Sequence, residues 1–173
     1  MRIFTALLLP EGSISSICEW KRPLEKRYPS LKWVSEDLLH VTLRFFGDVD
    51  GACLERVRRV LGAWKPGSIS FRITEVGTFG RKASPYVYWL GGTFPGSIGE
   101  LARELGEIPD ERGRKSTNDF HPHITVARRR RGPAPLLEPP EPISGVIGEV
   151  AVVNSRLTSE GPGYTYLDKF HLH

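Results

Sequence analysis

The order of apolar segments is the feature that most constrains how this chain can fold. Segments rich in β-branched and aromatic residues occur together with segments in which apolar residues recur at helical spacing. The two kinds do not alternate strictly, as a doubly wound parallel sheet would require. We therefore predict an α+β fold with largely antiparallel sheets. The predicted strands are 1–9, 31–34, 38–46, 69–76, 86–90, 124–127, 149–157 and 164–172, and the predicted helices are 11–28, 52–64 and 98–108.

Local signals refine the ends of these elements. Ser13 and Ser97 are candidate caps of the first and third helices, because serine hydroxyls accept hydrogen bonds from free amides at a helix start. Pro23 predicts a kink in the first helix. The segment 128–142 is first basic and then rich in proline, which predicts an irregular surface loop.

Length and composition favour one folded domain over residues 1–173, with a two-lobed arrangement also open. The net charge of +4 and the pI near 9.2 favour an anionic partner such as RNA or a nucleotide. The apolar segment 1–9 ends at Pro10, too early to span a membrane. Cys18 and Cys53 are too few for a disulfide framework, which fits a cytoplasmic protein. We expect a monomer.

A short motif occurs twice in strand-like segments. His40-Val41-Thr42-Leu43 is repeated as His123-Ile124-Thr125-Val126. Because side chains alternate between the faces of a strand, each copy places an imidazole and a hydroxyl on the same face. If the two strands lie side by side, four polar groups converge on one small volume suited to an oxyanion.

Two histidines and two hydroxyls meet the needs of cyclic phosphate hydrolysis. Water must lose a proton while the departing ribose oxygen gains one, and imidazole can serve both steps near neutral pH. Thr42 and Thr125 can donate hydrogen bonds to the non-bridging oxygens, on which charge grows in the transition state. This scheme requires no metal ion or other cofactor.

The paired motifs resemble the signature of the 2H phosphoesterase superfamily, and specifically its RNA 2′,3′-cyclic phosphodiesterase branch, historically called 2′-5′ RNA ligase. The similarity includes the residues around each motif, a central strand and the closing hairpin, and so spans essentially the whole chain. The segments that carry it are 31–34, 39–49, 85–91, 120–128, 153–157, 163–166 and 170–172.

The resemblance implies a fold of two related lobes, with the motif strands facing each other across a central cleft. It implies that His40 protonates the leaving 3′ oxygen, that His123 activates water and that the product carries a 2′-phosphate. Arg128 matches a phosphate-contacting position, and Phe45 matches an aromatic position that can stack on the terminal base. The expected partner is RNA with a 2′,3′-cyclic phosphate end, and cyclic nucleotides are further candidates.

Other interpretations of these residues stay open. The same histidines would serve 2′-5′ RNA ligation, the reverse reaction, and a cleft of this kind could bind RNA without turnover. His121, His123 and His40 could instead bind a metal ion. Each histidine or threonine could also be structural, and Phe45 could belong to the core.

Three further features of the sequence bear on the site. In the run 128–131, only Arg128 receives a specific role, since the other arginines need supply no more than diffuse attraction. Arg44 and Phe46 depart from the commonest pattern of the family, which leaves base preference open. His171 and His173 are predicted to be surface residues at the end of the chain.

Overall fold

The fold was analysed in a computed structural model, which describes residues 1–81, 84–116 and 119–172. The described residues form nine β-strands, three α-helices and one short 3-10 helix, Glu36–Leu38. The helices are α1 (Glu11–Arg27), α2 (Gly51–Ala63) and α3 (Gly96–Gly106). The strands are β1 (Arg2–Leu8), β2 (Leu31–Trp33), β3 (His40–Asp48), β4 (Ile69–Arg81), β5 (Ser84–Thr93), β6 (Ile124–Arg129), β7 (Ile143–Ile147), β8 (Glu149–Thr158) and β9 (Gly161–His171).

All nine strands belong to one continuous sheet. Eight of them follow the order β7-β4-β5-β6-β3-β1-β8-β9, and β2 pairs with β6 beside this path. Every pairing is antiparallel. The prediction of an antiparallel α+β fold is therefore confirmed, with a single sheet in place of several.

The two motif strands meet at the centre of this sheet. Their pairing is brief, since only Val41 of β3 stands opposite Ile124 of β6. Beyond this point β3 pairs with β1, whereas β6 pairs with β5 and β2. The sheet thus joins four strands on the β3 side to the remaining strands through one short contact.

The helices cover one face of the sheet with a continuous apolar core. Apolar side chains of all three helices, including Ile17, Val57 and Leu101, are buried there together with Val41 and Ile124 of the motif strands. Because alternate strand residues point to opposite faces, burial of Val41 and Ile124 directs the neighbouring histidines and threonines to the other face. A smaller apolar cluster, which includes Phe4, lies apart from the main core.

The helix starts differ from the predicted ones. α1 and α3 begin directly after Pro10 and Pro95, which act as N-caps without a side-chain hydrogen bond. Ser13 lies inside the first turn of α1, and its hydroxyl is 3.4 Å from the carbonyl oxygen of Ser144. Ser97 likewise lies inside α3. Proline has φ close to the helical value and lacks the amide that a helix start leaves unpaired, so it begins a helix well.

The first helix and one strand also differ from the prediction. The structure assigns α1 as one continuous helix through Pro23, whose side chain is exposed, rather than two helical pieces. Strand β7 was absent from the prediction because prolines precede it and Gly145 interrupts it, yet Ile143 and Ile147 are buried where it pairs with the edge of β4. Residues 130–142 lack helix and strand, as predicted, whereas Arg128 and Arg129, also predicted to lie in this loop, belong to β6.

Arg44 and Phe46 lie away from the predicted cleft. The buried Arg44 guanidinium donates to the carbonyl oxygens of Gly106 (3.1 Å), Ile108 (2.9 Å) and Arg114 (3.1 Å). It also lies 5.1 Å from the centre of the buried Phe46 ring. A cation is favourable there because the free carbonyls at the end of α3 carry partial negative charge. These two residues therefore pack in the interior and do not line the cleft.

Candidate active site

The register between β3 and β6 brings both motifs together. With Val41 opposite Ile124, the preceding and following residues fall on the same face of the sheet. In an antiparallel pair this places His40 across from Thr125 and Thr42 across from His123. The four side chains predicted from the sequence line one cleft.

Each histidine ring is oriented by the backbone two residues before it. Nδ1 of His40 lies 2.7 Å from the carbonyl oxygen of Leu38, and Nδ1 of His123 lies 2.7 Å from that of His121. A carbonyl oxygen only accepts hydrogen bonds, so Nδ1 carries the proton in both rings. Nε2 is therefore the nitrogen of each ring that can take up or release a proton.

The two histidines differ at Nε2. In His40 this nitrogen lies 2.9 Å from Oγ1 of Thr42, within its own motif. When His40 is neutral, the Thr42 hydroxyl must donate to Nε2. When His40 is protonated, Nε2 donates instead, and the Thr42 proton is free to point elsewhere.

A β-bulge follows each histidine at the same offset. The pairing of β3 with β1 passes from Thr42 to Arg44, which leaves Leu43 as the extra residue. The pairing of β6 with β5 passes from Thr125 to Ala127, which leaves Val126 as the extra residue. A bulge reverses which residues face a given side of the sheet.

The bulges determine where Phe45 and Arg128 point. Both residues lie five positions after a motif histidine, an odd number that would place them on the opposite face of a regular strand. With the bulges, both line the same cleft as His40 and His123. Phe45 is 46% exposed, Arg128 is exposed, and neither belongs to the buried core.

Aromatic rings hold both histidines in place. The His40 ring is 5.1 Å from Phe4 and 5.7 Å from Tyr164, measured between ring centres. The His123 ring is 4.8 Å from Phe79, edge to face, and 6.1 Å from Trp89. This packing limits rotation of both rings and removes water from part of their surface.

Basic side chains predominate in the cleft, whose volume is about 880 Å³. Besides the four motif residues it is lined by Tyr86 and by the tip of the β8–β9 hairpin. Its charged residues are four cations against two carboxylates. They are Lys32, Arg128, Arg129, Arg130, Asp37 and Glu160. A concave site of this size and sign suits an anionic ligand of nucleotide size.

Comparison with known proteins places this arrangement in a family. Residues 13–156 match the model of the 2′-5′ RNA ligase superfamily. The chain belongs to this superfamily. A full-length relative, the RNA 2′,3′-cyclic phosphodiesterase of Thermotoga maritima, is 33% identical over 96% of this chain and 93% of its own length.

Solved structures of similar proteins have the same fold as this superfamily member. TT0787 of Thermus thermophilus has a TM-score of 0.86 and 30% identity, with 99% of this chain and 98% of TT0787 covered. E. coli LigT complexed with 3′-AMP has a TM-score of 0.80 and 26% identity, with coverage of 99% and 96%. The second of these proteins binds a nucleotide.

The pKa values of both histidines lie below the ordinary value of 6.5. Burial is the main cause for His40, and nearby His123 adds to it, while the bond to the Leu38 carbonyl opposes the shift. Burial also lowers the pKa of His123, with further lowering by His121 and Arg128 and opposition from the bond to the His121 carbonyl. Near neutral pH both rings of this superfamily member are therefore mainly neutral.

Several residues that contact the site were missed in the sequence. Phe4 and Tyr164 pack on His40, and Phe79 and Trp89 pack on His123. Such aromatics are typical of any strand, so no local signal separates them from core residues. Burial raises the pKa of Tyr164, while the charge of Arg128 opposes this shift.

Arg129 differs from the diffuse role expected of it. Its guanidinium donates to the carbonyl oxygens of Pro85 (2.7 Å) and Gly132 (2.9 Å). The first bond ties the end of β6 to the start of β5, and the second holds the loop that follows β6. Arg129 therefore has a structural role, and Arg130 is the better reference for an exposed arginine.

The alternative metal site is not formed as these residues are placed. Within residues 1–81, 84–116 and 119–172, no three side chains of His, Cys, Asp or Glu are grouped so as to hold a metal ion. The His121 ring lies 4.8 Å from Trp89 and 6.3 Å from His123. His171 is exposed, as predicted, and His173 lies outside the described residues. No helix in the described part of the chain is both long and apolar enough to cross a membrane.

Proposed function

We propose that this protein hydrolyses the 2′,3′-cyclic phosphate end of RNA to a 2′-phosphate, with His40 and His123 as general acid and base. The observation that carries the proposal is the matched orientation of two Nε2 atoms beside one basic cleft. Family membership supports it, since the Thermotoga maritima relative is an RNA 2′,3′-cyclic phosphodiesterase. The motif strands would then join two related lobes within a single domain.

The reaction requires one proton transfer on each side of phosphorus. Nε2 of His123 takes a proton from water as the water oxygen attacks phosphorus. The bond between phosphorus and the 3′ oxygen breaks, and protonated Nε2 of His40 gives its proton to that oxygen. The phosphate stays on the 2′ oxygen. This assignment of acid and base is the one that family resemblance implies.

Thr42 and Thr125 would stabilise the charge that develops on the non-bridging oxygens. The Thr42 hydroxyl is 2.9 Å from Nε2 of His40, so its proton becomes available to phosphate when His40 is protonated. Protonation of the acid and donation by Thr42 are thereby coupled. The register places Thr125 across from His40, which lets it donate from the other strand.

Arg128 and Phe45 would position the substrate at opposite ends of the motif strands. A guanidinium can form two directed hydrogen bonds to a phosphate, and an exposed aromatic ring can stack on any base. Phe45 already stacks on Phe4 at 6.1 Å, and the Arg2 guanidinium lies 5.0 Å from its centre. The Phe45 ring is therefore held in one orientation.

The direct test is incubation of the purified protein with RNA that ends in a 2′,3′-cyclic phosphate, in the presence of EDTA. We expect the mass to increase by that of one water as the ring opens, and we expect the product to resist a phosphatase specific for 3′ ends, which identifies it as the 2′-phosphate. A 3′-phosphate product would contradict the proposed acid. Turnover that is lost in EDTA and restored by a metal ion would contradict the two-histidine scheme.

RNA ligation and simple binding give different results in the same experiment. Added RNA with a 5′-hydroxyl would yield a longer 2′-5′-linked product if ligation competes with hydrolysis. If RNA bound but no product formed, the protein would be a nucleotide-binding module without catalytic activity. The paired, oriented Nε2 atoms favour turnover, because lysine or arginine would serve binding equally well.

The pH dependence is predicted from the lowered pKa values of the histidines. Hydrolysis needs one ring protonated and the other neutral, and kcat/KM reports the free enzyme. We expect kcat/KM for 2′,3′-cyclic AMP to fall as pH rises through a midpoint below 6.5, because the acid then loses its proton. The negative charge of bound substrate raises the pKa values of both histidines. The fall of kcat with rising pH should therefore have its midpoint at a higher pH than the fall of kcat/KM. Profiles recorded between about pH 4 and 9 test this, and coincident limbs would contradict it.

Arg128 is expected to require its guanidinium group. Arg128→Lys keeps the charge but loses the directed pair of hydrogen bonds, so we expect kcat/KM to fall by about 10-fold or more. Arg130→Lys is the matched control, since Arg130 is exposed and lines the same cleft. We expect Arg130→Lys to leave kcat/KM nearly unchanged. Equal tolerance of lysine at both positions would remove the specific role of Arg128.

A further inference from the structure

We infer that one end of the cleft binds the second nucleotide from the RNA end, through Lys32 and Tyr86 together with Arg128. The enzyme would therefore prefer cyclic phosphates on oligoribonucleotides to cyclic mononucleotides. This inference rests on the proposed function and adds a substrate class and two specificity residues to it.

Lys32 and Arg128 are placed where two cations are unfavourable without an anion. They stand directly opposite each other in the pairing of β2 with β6, and both are exposed. Cross-strand neighbours have Cβ atoms about 5 Å apart, at which distance like charges destabilise a sheet. Neither side chain forms a hydrogen bond or ion pair with any described residue of the chain. A phosphate between them would satisfy both.

The backbone positions of this pair lie away from the motif histidines, along the direction of the strands. From the contact between Val41 and Ile124, β3 and β6 run in opposite directions. Phe45 and Arg128 therefore lie at opposite ends, each about 13 Å along the strand from its histidine once the bulge is allowed for. The Phe45 end takes the terminal base. The Lys32 and Arg128 end is then left for the part of the RNA attached through the terminal 5′ oxygen.

Tyr86 supplies a base-stacking surface at this second end. Its side chain is 55% exposed and lines the cleft together with Lys32 and Arg128. One side of the ring packs on Gly80, where a Cβ atom would lie 2.6 Å from the ring. Gly80 has φ of +120°, a conformation that favours glycine, so the contact with Tyr86 depends on that residue. The ring is thus supported from behind and open to a ligand.

Charge and stacking at this end match one nucleotide unit of RNA. An internucleotide phosphate carries one negative charge and would lie between Lys32 and Arg128, while the penultimate base would stack on Tyr86. A cyclic mononucleotide has neither group and gains nothing from Lys32 or Tyr86. RNA and DNA have the same internucleotide phosphate, but only RNA carries the 2′ oxygen needed for a cyclic phosphate. The ligand assigned to this end of the cleft is therefore RNA.

The test compares 2′,3′-cyclic AMP with the dinucleotide ApA ending in a 2′,3′-cyclic phosphate. We expect the wild-type enzyme to have the higher kcat/KM for the dinucleotide. Lys32→Gln should reduce this preference by about 10-fold, the loss of one charged hydrogen bond, and Tyr86→Ala by about 5-fold or more. Lys32→Arg and Tyr86→Phe should retain most of it. Arg59→Gln, an exposed cation on α2, is the matched charge control and should leave the preference unchanged.

Binding of products separates this inference from the proposed function. Calorimetric titration with 2′-AMP and with ApA ending in a 2′-phosphate requires no turnover, and Lys32→Gln should selectively weaken the dinucleotide. An equal loss for both ligands, or equal wild-type kcat/KM for both substrates, would overturn the inference while leaving hydrolysis intact. If the wild-type protein hydrolysed neither substrate, the proposed function would be wrong. The ratio of the affinities for the dinucleotide and for 2′-AMP would still test the second-nucleotide site. Far-ultraviolet circular dichroism excludes misfolded variants.

Discussion

Replacement of either His40 or His123 by alanine is expected to lower kcat for a 2′,3′-cyclic phosphate at least ~100-fold, the lower range for loss of a general acid or base. Each ring serves a separate proton transfer, and no other described residue has an oriented imidazole at the same point. Single-turnover kinetics with 2′,3′-cyclic AMP would measure the chemical step. Folding should survive, because both side chains point away from the main core.

The double variant and a neighbouring histidine provide the controls. Because the two histidines act as a unit, the double variant should lose far less than the product of the two single losses. His121→Ala should retain activity within a few-fold, since the hydrogen bond that orients His123 goes to the backbone carbonyl of His121, which alanine keeps. Near-normal activity of a folded His40→Ala or His123→Ala variant would remove that residue from the mechanism.

Replacement of Thr42 or Thr125 by valine is expected to lower kcat by about 100-fold, the typical loss of one donor to a developing oxyanion. Valine keeps the β-branched shape that suits a strand, so the backbone should be unchanged. Thr42→Val should also alter the pH profile, because the hydroxyl that contacts Nε2 of His40 is removed. Thr125→Val should not alter it in this way, since its hydroxyl does not belong to that hydrogen bond.

Serine variants distinguish the hydroxyl from the shape of the side chain. Thr42→Ser and Thr125→Ser keep the donor and should recover most of the activity that valine removes. If the valine variants retained wild-type kcat, the charge would have to be stabilised elsewhere in the cleft. If serine failed as fully as valine, packing and not hydrogen bonding would explain both threonines.

The class of fold, and the placement of four polar side chains on one face of two strands, could be predicted from the sequence alone. Both follow from local alternation. Strand and helix periods are carried by short segments, and the His-x-Thr spacing places an imidazole and a hydroxyl on one face of a strand wherever that strand lies. The two motifs come together only if their strands are neighbours in the sheet, and β3 and β6 are paired. The roles of the four residues remain predictions.

The surroundings of those four residues depend on contacts between elements distant in sequence. Strict alternation of side chains along a regular strand would point Phe45 and Arg128 away from the cleft. The bulges at Leu43 and Val126 direct both side chains towards it. The carbonyl oxygens of Gly106 and Pro85 that accept from Arg44 and Arg129, and the residue opposite Lys32, come from elements distant in sequence. A bulge depends on how a neighbouring strand pairs, and a cross-strand contact depends on register, so neither can be read from one segment alone.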